Sequence, residues 1–78
     1  MSVLITIGAL TMTREEAEEL RDWLGLHPPS SLTLMLGHGV LLRVLKGGES
    51  RLKPADLTRC GEALGRALAE ARAAKDGG

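Results

Sequence analysis

The stretch Ser31–Leu45, SLTLMLGHGVLLRVL, carries one formal charge, at Arg43, and constrains this chain more than any other segment. Leu32, Leu34 and Leu36 alternate with Thr33 and Met35. Val40, Leu42 and Val44 alternate with Leu41, Arg43 and Leu45. That is the two-residue period of strands. Between the runs stands Gly37-His38-Gly39, and glycine accepts the positive φ of a tight hairpin loop. A helix would hold both glycines in its interior at roughly 1 kcal/mol each relative to alanine. The pattern therefore predicts a β-hairpin at the centre of a small sheet, with the helix-forming character of Leu and Met as the competing signal.

Both faces of such a hairpin are partly apolar. With Leu32, Leu34, Leu36, Leu42 and Val44 turned inward, Met35, Leu41 and Leu45 share the outer face with Thr33 and Arg43. A sheet face open to water is ordinarily more polar than this. In so short a chain the expected cover is a second copy, which makes a homodimer the favoured assembly.

The chain has 78 residues, enough for one domain. A domain of this size buries only about 60–65% of the surface its unfolded chain exposes, so it gains from a disulfide, a metal or a partner. Cys60 is the only cysteine, which excludes an internal disulfide. Cys60, His27 and His38 fall short of a four-ligand zinc site, and no metal or cofactor is expected. Ten basic and ten acidic residues give a formal charge of zero, against generic nucleic-acid binding. Trp23, the one aromatic residue, leaves no stacking platform for bases. No apolar run reaches the ~18–20 residues of a membrane span, and no secretory leader is evident. A cytoplasmic location with a reduced thiol is expected. The absence of Asn and Gln beside many charges suits a thermophile, although a GC-rich genome produces the same bias.

Taken in order, Ser2–Leu10 (SVLITIGAL) reads as a first strand, with Val3, Ile5 and Ile7 turned to the core and Gly8 marking a bulge or a close backbone approach. Thr13 with Glu16 forms a capping-box pattern that opens a first helix, with Ala17, Leu20, Trp23 and Leu24 as its apolar stripe and Gly25 as its stop. Leu26–Ser30 is a proline-stiffened connector, and Lys46–Lys53 a polar loop turning at Gly47-Gly48. A second helix is expected from Pro54 to about Ala74, burying Leu57, Cys60, Gly61, Leu64, Ala67, Leu68 and Ala71. The expected fold is an α+β two-layer sandwich of order β-α-β-β-α. Two helices cover one face of a three-stranded sheet with the hairpin at its centre. Residues 1–76 form the single compact domain and 77–78 a frayed tail.

Candidate chemistry is sparse. Cys60 sits on an apolar helix face, as a small core residue does, rather than beside a base that would make it a nucleophile. His27 and His38 lack ligand spacing. Lys46, Arg51, Lys53 and Arg59, around a glycine turn before a helix, form a candidate anion-binding set that belongs to no recognised phosphate motif. Gly61 and Gly65 thin the second helix, for contact with a partner or with the chain's own sheet.

The expected function is a small non-enzymatic interaction or regulatory module acting by self-association or by stoichiometric binding to a larger protein. Its expected contact residues are Trp23, Met35, Leu41, Arg43, Leu45 and Gly65. The alternative is binding of an anion or a nucleic-acid backbone through the basic loop.

Overall fold

A computed structural model describes residues 3–28, 31–48 and 51–77, the side chains of residues 76 and 77 excepted. Its element order is β1 (Leu4–Ile7), β2 (Leu10–Thr13), α1 (Arg14–Leu26), α2 (Leu32–Leu45) and α3 (Pro54–Gly77). This corrects the expected β-α-β-β-α sandwich. Among the described residues the sheet has two strands rather than three, both at the N-terminal end, and three helices pack against it and one another.

The first correction lies in the expected strand over residues 2–10, which folds back on itself. Leu4 pairs with Thr13, Ile5 with Met12, Thr6 with Thr11 and Ile7 with Leu10, leaving Gly8-Ala9 as a two-residue turn. Gly8 has φ +62° and Ala9 does not share the positive φ, as in a turn with glycine at its first central position. Gly8 also lies against the backbone of α3, where an added Cβ would come within 2.8 Å of the Thr58 Cα, so the expected close approach is real. Alternation holds within the hairpin. Ile5, Ile7 and Met12 are buried, whereas Thr6 and Thr11 meet on the solvent side at 3.4 Å; Val3, expected inside, is exposed.

The second correction is larger: the expected central hairpin, residues 31–45, is the helix α2. Three physical terms outweigh its two interior glycines. The Ser31 Oγ caps the helix by accepting the Leu34 amide at 3.0 Å. Leu and Met are strong helix formers, and the run contains few β-branched residues. Inward packing of Val40, Leu41 and Leu45 then joins α2 to the core, with Gly37 set against Leu64 of α3. An apolar run of this length exceeds the 4–8 residues usual for a strand and suits a helix.

α1 forms as the sequence predicts at its start. The Thr13 hydroxyl accepts the Glu16 amide at 3.1 Å while the Glu16 carboxylate accepts the Thr13 amide at 3.0 Å. At its end the helix runs through Gly25, and His27 is the cap, its amide donating to the Trp23 carbonyl at 2.8 Å. α3 starts at Pro54 as expected and extends to Gly77. Its Gly61 is buried directly beneath the hairpin, where a Cβ would drive into the Ile7 carbonyl oxygen. Arg72 and Lys75 of α3 bond Glu16 and Glu19 of α1, at the same sequence spacing of 56, so the two helices run alongside in one direction. The core joins Ile5, Ile7, Met12, Ala17, Leu20, Leu24, Val40, Leu41, Leu45, Cys60, Leu64, Ala67 and Leu68. Ser2 of the expected strand, Pro29 and Ser30 of the connector, Glu49 and Ser50 of the loop, and Gly78 of the tail lie outside the described residues.

Candidate functional site

At 100° per residue, Leu32, Leu36, Gly39 and Arg43 fall within roughly 60° of arc on α2, with Met35 and Leu42 along one flank. The core-facing Val40, Leu41 and Leu45 occupy other sectors of the wheel. The outer stripe is in water: Leu32 is 74% exposed, Met35 57%, Leu36 48% and Leu42 37%. α2 is thus apolar on two sides, one consumed by the fold and one left over. A helix apolar all round ordinarily lies in the middle of a larger core.

The stripe is not flat. Met35, Leu36, Gly39 and Val40 form the floor of an open cleft of about 350 Å3, with Arg43, Arg51 and Leu52 completing its wall. Gly39 makes the notch, since nothing lies within 4 Å of the position its Cβ would take. The guanidinium groups of Arg43 and Arg51 make no hydrogen bond or ion pair with the described residues. No Asp or Glu occurs between Ser31 and Gly48. The cleft is apolar at its base and positive at its rim.

Of the residues expected at an interface, the structure brings Met35 and Arg43 together here. Leu41 and Leu45 are corrected to core positions, 0% and 8% exposed. Strand alternation turns them outward, whereas a helix sends them inward. Trp23 lies elsewhere, in a hollow of about 370 Å3 between α1 and α3 shared with Leu26, Ala71 and Ala74. Its ring stacks on His27 with centroids 3.8 Å apart. Gly65 of α3 faces Leu10 of the chain's own hairpin, where a Cβ would meet the Leu10 Cδ1 at 3.6 Å, an ordinary contact. Leu32, Leu36 and Leu42, inward under a strand period, lie with Gly39 on the surface. The helical wheel of the segment carries their signal, and a two-residue period does not show it.

The basic set does not converge. Arg51 lines the α2 cleft, whereas Arg59 lines a separate hollow with Ser31, Thr33, Glu62, Ala63 and Arg66. Gly47-Gly48 follows the C-terminus of α2 rather than preceding a helix start. Its amides donate to the Val44 carbonyl at 3.0 Å and the Arg43 carbonyl at 2.9 Å, a Schellman arrangement that uses the donors an anion would need. Cys60 is buried, its Sγ 3.9 Å from the Thr33 carbonyl oxygen. Burial first, and the Asp56 charge second, push its thiol above the ordinary range, opposite to an activated nucleophile. Among the described residues no three His, Cys, Asp or Glu side chains gather as a metal site would require, and no helix is long and apolar enough to cross a membrane.

Compared with known proteins, the chain matches no family model, and no curated sequence or solved structure is significantly similar to it.

Proposed function

We propose that this chain is a non-enzymatic protein-interaction module whose contact surface is the outer face of α2, and that it docks a helix of another polypeptide along that face. The observation that carries the reading is the exposed stripe of Leu32, Met35, Leu36 and Leu42 on a helix whose opposite side already fills the core. Contiguous apolar surface of this kind on a small domain marks a binding site. A helix laid into it places i, i+3, i+4 and i+7 anchors against a matching row. Among the described residues, what lines this surface is apolar side chains and two arginines, groups suited to contact.

Leu36→Glu tests the reading. Glutamate keeps the helix propensity of leucine, and the side chain is half exposed, so the thermal melt should stay close to that of the unsubstituted chain. Association should fall at least about tenfold, the result of placing an unpaired charge in a desolvated contact. Association is read as solution mass over a dilution series and as binding of a leucine-striped helical peptide. Equal association by Leu36→Glu and the unsubstituted chain in both readouts would remove α2 as the contact surface.

A further inference from the structure

The charge around the α2 cleft says more than that something docks there. Two arginines, Arg43 and Arg51, stand at the rim of an apolar floor and have no partner among the described residues. Elsewhere four cations are paired with carboxylates of the chain, Arg14 with Glu18, Arg21 with Asp22, Arg72 with Glu16 and Lys75 with Glu19, and of the cations outside these pairs Arg43 and Arg51 are the two that line this cleft. Resting on the proposed helix-docking role, we infer that the occupant of the cleft is an amphipathic helix of a different protein, with a leucine-type stripe flanked by Asp and Glu.

Three observations select this occupant. Gly39 turns the middle of the stripe into a notch, which receives a side-chain knob from a helix crossing α2. A bilayer offers no knob, and helices that lie on membranes carry a Lys- and Arg-rich polar face, whereas Arg43 is the only Lys or Arg within α2. A second copy fits the notch but not the charge. Pairing α2 with its own copy brings Arg43 and Arg51 against a segment with no carboxylate from Ser31 to Gly48, and like charges across an interface are repulsive. On the copy's acidic helix, α1, Glu16, Glu18, Glu19 and Asp22 are engaged internally, which leaves Glu15 alone, among the described residues of that helix, to face two arginines. An acid-flanked helix supplies both the apolar row and counter-charges that the described residues do not give Arg43 and Arg51.

The test uses the full chain and three dye-labelled helical peptides of about 18 residues, roughly five turns, with the same leucine stripe. Their flanking positions are all Glu, all Gln or all Lys, and binding is followed by fluorescence anisotropy. The Glu peptide should bind at least about tenfold tighter than the Gln peptide and the Lys peptide weakest, with the gaps shrinking as salt rises from about 0.05 M to 0.5 M. The double variant Arg43→Glu/Arg51→Glu, altered only at exposed positions, should reverse the order in favour of the Lys peptide. Equal binding of all three peptides would overturn the charge inference and leave helix docking standing. A stable dimer that excludes every peptide would assign the face to a second copy and overturn it also. Tighter binding to phosphatidylserine-containing vesicles than to the Glu peptide would assign the face to a membrane, overturning both. A monomer that binds no peptide at any salt would likewise end both readings.

Discussion

α1 and α2 are neighbouring helices of nearly equal length, 13 and 14 residues, built on opposite terms. α1 carries its instructions locally. A capping box fixes its start, acidic residues suit its first turn, and its apolar stripe of Ala17, Leu20 and Leu24 is narrow and fully consumed by the core. α2 has a single side-chain cap, two glycines, one cation and apolar residues on both sides. Local signals suffice for a helix whose polar and apolar faces are distinct. Where both faces are apolar, hydrophobic periodicity loses its power to tell a helix from a strand, and the surplus face becomes available for binding.

The sharpest way to break this contrast is to substitute the two sides of α2 in turn. Leu41→Ala empties a fully buried position and should cost about 2–5 kcal/mol. Leu36→Ala, on the outer side, should change stability by about 0.5 kcal/mol or less while weakening association. Paired urea melts of the two variants decide it, and comparable losses would mean that α2 is not oriented as described.

Glycines give the next largest contrast. Gly61→Ala pushes a methyl group into the Ile7 carbonyl and should destabilise by about 1–3 kcal/mol through overpacking. Gly39→Ala meets open space within a helix and should instead stabilise by about 0.5–1 kcal/mol. The same methyl fills the notch, so peptide binding should weaken as the melting temperature rises. Stability and binding moving in the same direction would separate Gly39 from the contact surface.

Capping sharpens the comparison from the α1 side. Thr13→Ala removes the hydroxyl that accepts the Glu16 amide and should cost about 1 kcal/mol, within a range of roughly 0.5–2. Circular-dichroism melts against Ser31→Ala should show Thr13→Ala losing more, because the α1 cap is reciprocal and the α2 cap is one-sided.

The smallest expected effect is one of pH. The Thr13 amide foremost, with the Arg72 guanidinium assisting, outweighs the opposing effect of burial and holds the Glu16 carboxyl below its ordinary range. A carboxyl whose folded value is depressed contributes stability that is complete above its unfolded value, near pH 4.5, and is lost as pH falls through the lower folded value. Glu16→Gln retains a capping-box residue but cannot titrate. Its melting temperature should therefore decline less than that of the unsubstituted chain from pH 5 down to about pH 3, where carboxylates take up protons.

Local features, not the architecture, were legible from residues alone. The Thr13–Glu16 box, the start of α3 at Pro54, the placement of Cys60 in the core and the inward Ile5 and Ile7 all follow from short-range chemistry. The turn at Gly8-Ala9 was written in the sequence less plainly, because Gly8 in an apolar alternating run fits a continuous strand with a close approach as well as a reversal. Of the candidate surface, Met35 and Arg43 were legible because they point outward under either period. Leu41 and Leu45 were not, because a two-residue and a 3.6-residue repeat send them to opposite sides.

By itself, then, the sequence determined that a chain with one cysteine holds no internal disulfide, that Thr13 caps α1, and that the most apolar stretch is residues 31–45. These properties rest on composition and on contacts within a few residues. Tertiary structure decided the rest. Residues 31–45 became a helix because packing Gly37 against Leu64, and Val40, Leu41 and Leu45 into the core, outweighs the cost of two interior glycines, a balance between residues far apart in the chain. That same decision turned Leu32, Met35, Leu36 and Leu42 outward and set Arg43 beside Arg51, creating the apolar, positively rimmed cleft that no local stretch encodes.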